Sequence, residues 1–228
     1  PLSAIQQNLY VLADELSNQL TKEQKERLDR TQTRINDLIN LIHTWLRVIT
    51  VDIDKLKEKF VPLSIETVIT KAIESVQPHA NRKEIRIITH YEKQLSPVLG
   101  DEGTLVEALV NILGNAVKYS HIGDSVYVKA EEREKSIIIS IKDTGIGISK
   151  EDLPFIFNDF FTGRTVPQAE KGSGLGLAIT RRIIEAHNGT ITAESELGKG
   201  STFTIFLPIY DSQIANPNKL MSNTINLS

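Results

Sequence analysis

A chain of 228 residues has room for one full domain and a smaller element. Its net charge of −3, with charged residues at 24%, provides no basic field, so no nucleic-acid partner is expected. Cysteine is absent, which excludes disulfides and thiolate metal sites and suits a cytoplasmic setting. No apolar run reaches the roughly 18–20 residues needed to cross a bilayer, and no signal peptide is visible. The first residue is Pro1 rather than Met, so the chain reads as a fragment. Any membrane segment would then lie in sequence upstream.

Leu2, Ile5, Leu9, Leu12, Leu16 and Leu20 recur at helical spacing. After a polar turn near Ser17–Glu23 the pattern resumes with Leu28, Ile35, Leu38, Ile42, Trp45 and Ile49, and Thr31 fills one slot of an a/d seam. The two segments predict a helical hairpin over residues 1–62. Each stripe is too narrow to be buried by one partner helix, so a four-helix homodimer through residues 1–50 is the expected solution. The alternative is a hairpin packed on its own downstream domain.

Past Pro62 the texture changes, and residues 63–210 predict an α+β domain: a two-layer sandwich of helices on one face of a mixed sheet. Leu63–Asn81 reads as an amphipathic helix and Ile85–Tyr91 as a strand. Asp101–Tyr119 reads as a long helix with Leu105, Leu109, Ile112, Leu113, Ala116 and Val117 on its apolar face. Ser125–Ala130 and Ser136–Lys142 are strands around a charged hairpin, Glu131–Lys135. Leu177–His187 is a helix stopped by Asn188-Gly189. Thr190–Glu194 and Ser201–Leu207 form a last hairpin, turned at Gly198–Gly200. The Asn- and Ser-rich residues 211–228 read as a loose tail.

Three strings carry chemistry. In Asp143-Thr144-Gly145-Ile146-Gly147-Ile148, a carboxylate stands beside two residues that lack a Cβ. A pocketed carboxylate accepts a hydrogen bond from the exocyclic amino group of adenine and repels the carbonyl that guanine carries there. The alternative is an ordinary strand-to-turn connection. Asn111, Asn115 and Lys118 share one face of the long helix. Amide oxygens suit Mg²⁺ and an ammonium suits phosphate, whereas the plainer reading is solvated surface. Gly172-Ser173-Gly174-Leu175-Gly176-Leu177 opens into a helix, where free N–H groups hold an anionic phosphate. The polar stretch from Asn158 to Lys171 reads as a lid over the nucleotide. Phe155, Phe157, Phe160 and Phe161 either anchor that lid or pack in the core.

In order and spacing, Asn111…Asn115-Ala116-x-Lys118-Tyr119, Asp143-x-Gly145-x-Gly147, Phe157-x-x-Phe160, Gly172-x-Gly174-x-Gly176 and Gly198-x-Gly200-Ser201-Thr202 resemble the catalytic ATP-binding domain of sensor histidine kinases. Pro1-Leu2-x-x-Ile5 resembles the end of the family's phosphoacceptor box, and the hairpin its dimerisation and phosphotransfer domain. The resemblance implies a protein-histidine kinase of a two-component system, with MgATP as cofactor and a response-regulator receiver domain as partner. It assigns adenine to Asp143, with Gly147, Ile148 and Thr202 around the ring and Gly145 beside them. It assigns Mg²⁺ to Asn115 with Asn111, and phosphate or ribose to Lys118 and Tyr119. The phosphate-facing lid would be formed by Gly172, Ser173, Gly174, Leu175, Gly176 and Leu177, with Phe160 at its base. Where the family has a lid arginine this chain has Thr162, so Arg164 or Lys171 is expected to supply that charge. The family's phosphorylated histidine falls five residues before the equivalent of Pro1. His43, His79, His90, His121 and His187 are therefore expected to be structural or surface residues.

Overall fold

The computed structural model describes residues 56–92, 94–164 and 172–211, together with positions 11, 20–25, 27–28, 30–32 and 35. The chain divides into two compact units, Pro1–Val51 and Asp52–Ser228. In the first unit the polar turn ends in a reciprocal cap. Thr21 N–H donates to Gln24 Oε1 at 2.8 Å and Gln24 N–H to Thr21 Oγ1 at 3.3 Å, which starts the helical residues 22–25. Most of the expected hairpin, its seam residues Leu38, Ile42, Trp45 and Ile49, and the expected tail lie outside the described residues.

The second unit begins with a strand that the sequence pattern did not announce. β1 (Val61–Leu63) pairs antiparallel with β3 (Val98–Gly100), where a helix from Leu63 was expected. Three residues around a proline are too short for period-two alternation to show. Ser64 then caps α1 (Ile65–Arg82), accepting from Thr67 N–H, and Ile65, Val68, Ile69, Ala72, Val76 and Ala80 form its buried stripe. β2 (Arg86–Tyr91) follows. Asp101 caps α2 (Glu102–Tyr119), with Oδ1 accepting from Thr104 N–H at 2.8 Å. α2 packs between α1 and α3 (Gly176–Ala186).

The main sheet runs β2, β4 (Ser125–Arg133), β5 (Ser136–Lys142), β7 (Gly200–Pro208), β6 (Thr190–Glu196). β2 lies parallel to β4 and the other pairs are antiparallel, so the sheet is mixed. β4 runs three residues beyond its expected end, because Glu131, Glu132 and Arg133 pair with Ile138, Ile137 and Ser136. Cross-strand pairing there overrides the charge that reads as a turn. Val126, Val128, Ile137, Ile139, Ile141, Phe203, Ile205 and Leu207 are buried under the helices, while Tyr127, Lys129 and Lys142 face solvent. This is the two-layer α+β sandwich expected from the sequence. Among the described residues, no helix is long and apolar enough to cross a membrane.

Candidate ATP-binding site

A cavity of about 280 Å³ opens between α2, the residues after β5, the start of β7 and the glycine turn before α3. Asp143 directly follows β5 and is only 5% exposed. Its N–H donates to the Ser201 carbonyl at 2.9 Å. Two amides converge on its Oδ1, from Gly145 at 2.9 Å and Ser201 at 3.1 Å. Oδ1 is thereby engaged by the fold, and Asp143 also lines the cavity. Burial pushes the Asp143 carboxyl above its ordinary value, against the pull of the two amides, and Asp124 adds to the rise. An ionised Asp143 is therefore costly in this buried setting.

The two glycines after it serve close approach. A Cβ on Gly145 would stand 2.3 Å from the Tyr119 carbonyl oxygen, and one on Gly147 (φ +68°) 2.1 Å from the Glu196 carbonyl oxygen. Ile146 N–H donates to Tyr119 O at 3.0 Å, and Ile148 N–H to Ser195 Oγ at 2.7 Å. The loop is thus pinned to the end of α2 on one side and to the last hairpin on the other.

On the opposite wall, Asn111, Asn115, Lys118 and Tyr119 all line the cavity, with both asparagines half-buried. Asn111 Nδ2 donates to the Gly176 carbonyl at 3.4 Å. Lys118 Nζ lies 5.2 Å from the centre of the Tyr119 ring. Among the described residues, no cluster of three His, Cys, Asp or Glu is placed to hold a metal ion. Asn111 and Asn115 carry neutral amide oxygens, a donor type that suits a hard cation.

Gly147, Ile148, Gly172, Ser173, Gly174, Gly176 and Leu177 also line the cavity. Gly145 and Leu175 support it from behind: both are buried, Leu175 fully. Three of the expected residues do not line the cavity. Thr202 pairs with Lys142 and Glu194 on the outer face of the sheet, and Ser201 faces the cavity in its place, because adjacent strand residues alternate. Phe160 adopts left-handed backbone (φ +60°) and is 54% exposed, so Phe161 provides the lining ring. Arg164 does not line the cavity; its guanidinium, 76% exposed, lies 3.6 Å from Asp152 Oδ1. Lys171 lies outside the described residues.

Asp152 escaped the sequence reading. It is 1% exposed, lines the cavity and accepts the Arg164 N–H on Oδ2 at 2.9 Å. The signal was present: Ser149-x-x-Asp152 is a capping pattern, and Ser149 Oγ accepts the Asp152 N–H at 3.2 Å. Of the lid aromatics, Phe157 packs edge-on against Phe203 at 6.4 Å, while Phe155 is exposed.

A mixed sheet under three helices, with a clamped carboxylate facing an Asn-Asn-Lys helix across a purine-sized cavity, defines a nucleotide-binding ATPase domain. Residues 100–211 match the histidine kinase-, DNA gyrase B- and HSP90-like ATPases, and this domain belongs to that family, in its sensor histidine kinase branch. The chain is 40% identical over 147 residues to the sensor-like histidine kinase SenX3 of Mycobacterium tuberculosis, covering 64% of this chain and 36% of that protein. It is 30% identical over 197 residues to the sensor histidine kinase ZraS of Escherichia coli, covering 86% and 38%. Among solved structures, the mycobacterial sensor histidine kinase MprB superposes with a TM-score of 0.57 at 29% identity, covering 66% of this chain and 97% of that one. Full-length ShkA in complex with AMPPNP superposes with a TM-score of 0.67 at 26% identity, covering 90% and 46%. The chain thus spans little more than a third of the length of these two curated relatives.

Proposed function

We propose that this chain is the cytoplasmic kinase region of a two-component sensor: it binds MgATP and, in the intact protein, passes the γ-phosphoryl group to a histidine upstream of Pro1. The observation that carries the reading is Asp143, a buried cavity-lining carboxylate held by two amides through one oxygen, which leaves the other for the ligand in this reading. That oxygen takes the amino group of adenine. The phosphates then lie toward Lys118 and the glycine turn, with Asn115 and Asn111 as the amide ligands of Mg²⁺, which neutralises phosphate charge.

Phosphoryl transfer asks a protein chiefly for positioning and charge neutralisation. By resemblance to related ATPases, which place a glutamate base at the position of Asn111, an amide here takes no proton at neutral pH, so transfer to a protein nucleophile is favoured over hydrolysis. The other cavity carboxylate, Asp152, is engaged by Arg164. In this reading residues 1–50 form a homodimer that presents the histidine, and a response-regulator receiver domain accepts the phosphoryl group on aspartate.

The test has two arms. Calorimetry with MgATP on this chain is expected to show one site, and no heat would remove the ATP assignment. A chain extended upstream, incubated with labelled ATP, is expected to gain an acid-labile, base-stable phosphoryl group. Steady phosphate release without that adduct would make the protein a hydrolase instead.

A further inference from the structure

We propose that Lys83, outside all the nucleotide motifs, is a positioning residue for the ATP site. The inference rests on the ATP reading above. Lys83 caps the end of α1, and its ammonium crosses to the end of α2. There it donates to three carbonyls: Val117 at 3.2 Å, Lys118 at 2.6 Å and Ser120 at 3.0 Å. A helix leaves its last carbonyls unpaired and partly negative, so a cation is favoured there. An ammonium has three N–H donors, and here all three are matched by acceptors on one turn. The Lys83 carbonyl also accepts the Gly123 N–H at 3.0 Å, so one residue ties both the helix end and the loop beyond it. Glu84, next along, is left-handed (φ +55°), which turns the chain sharply where α1 stops.

The turn Lys83 holds is a wall of the site. Lys118 and Tyr119 line the cavity, and the Tyr119 carbonyl accepts the N–H of Ile146, itself a lining residue. Removing the ammonium frees three carbonyls at once. The last turn of α2 then loosens, carrying Lys118 away from the phosphates and Ile146 away from the ring. An ordinary helix cap would move stability alone. A positioning residue moves nucleotide affinity as well, and does so through its charge.

The experiment compares wild type, Lys83→Met and Lys83→Cys by calorimetry with MgATP and by thermal melting. The chain has no cysteine, so 2-bromoethylamine regenerates an ammonium at position 83 alone. Losing hydrogen bonds from a charged donor is expected to weaken MgATP binding about tenfold in Lys83→Met. Aminoethylated Lys83→Cys is expected to return to nearly wild-type affinity. Wild-type affinity in Lys83→Met overturns the proposal, as does a loss that aminoethylation leaves uncorrected. Wild type without MgATP binding overturns the ATP reading and this inference together. Should Lys83→Met not fold, Lys83→Arg carries the test, since a planar fork cannot serve three converging carbonyls as the ammonium does. Faster hydrogen exchange at the Ile146 amide, with weaker MgATP binding, is then expected; no change in either overturns the proposal.

Discussion

At the scale of single residues, the proposed function divides the two oxygens of Asp143 between fold and ligand, and an amide tests that division. In Asp143→Asn, the side-chain oxygen keeps the Gly145 and Ser201 amides, and an NH₂ replaces the other oxygen. Two donors then meet at the adenine amino group, whereas the guanine carbonyl gains a partner. A buried bond to a charged group is worth about 1.5–3 kcal/mol, so ATP affinity is expected to fall by roughly 10- to 100-fold. The preference for ATP over GTP should shrink with it, which competition calorimetry measures. Because a buried charge is removed, the ligand-free variant should melt no lower than wild type; a marked drop in melting temperature would contradict this division. Gly145→Ala tests the neighbouring contact. Its Cβ would meet the Tyr119 carbonyl oxygen at 2.3 Å, so loss of both stability and nucleotide binding is expected, and wild-type urea midpoint and affinity would refute it.

Among the elements, α2 does the most positional work. Its cap, its apolar face and its last turn are set by different parts of the chain: Asp101 at the start, α1 and α3 along its sides, Lys83 at the end. Asp101→Ala removes only the first of these and is expected to cost about 1 kcal/mol, read as a lower urea midpoint. The cap lies at the opposite end of α2 from Lys118 and Tyr119, so MgATP affinity should stay within twofold. A large affinity loss would show that the helix moves as one rigid unit. The motifs on this helix were legible because Asn111, Asn115 and Lys118 interrupt an apolar run at helical spacing. Lys83 was not legible: its role depends on a contact 35 residues away in sequence, and no local pattern records that.

For the whole described unit, His187 ties three distant pieces together. Its ring stacks on Phe60 at 4.4 Å, its Nδ1–H donates to the Ile183 carbonyl at 2.7 Å, and its Nε2 accepts the Asp101 N–H at 3.1 Å. Only the neutral ring can accept that last bond. Burial pushes the imidazole below its ordinary value, while the Ile183 carbonyl and the Asp101 carboxylate pull the other way. Below about pH 6.5 the unfolded chain binds a proton that the folded state resists. Stability present above that pH is therefore lost as the pH falls toward the folded-state value. Urea midpoints measured from pH 7.5 to 5.5 should decline, and the slope should flatten in His187→Phe. A midpoint independent of pH in wild type would refute this. Asp143 acts with the opposite sign in a lower window: its raised value means the folded state takes up a proton first, so its contribution rises as the pH falls toward about 3.9. The sequence reading left His187 as structural or surface, and burial decides for the former.

Sequence alone determined the α+β class, the long helices and the nucleotide motifs, because these follow from local periodicity and from glycines placed where a backbone must approach closely. Tertiary structure decided the rest: which phenylalanine faces the cavity, that Arg164 answers to Asp152, that β1 pairs with β3, and that Lys83 holds the end of α2. Each of these depends on contacts between residues remote in sequence, whose energies no single stretch of chain expresses.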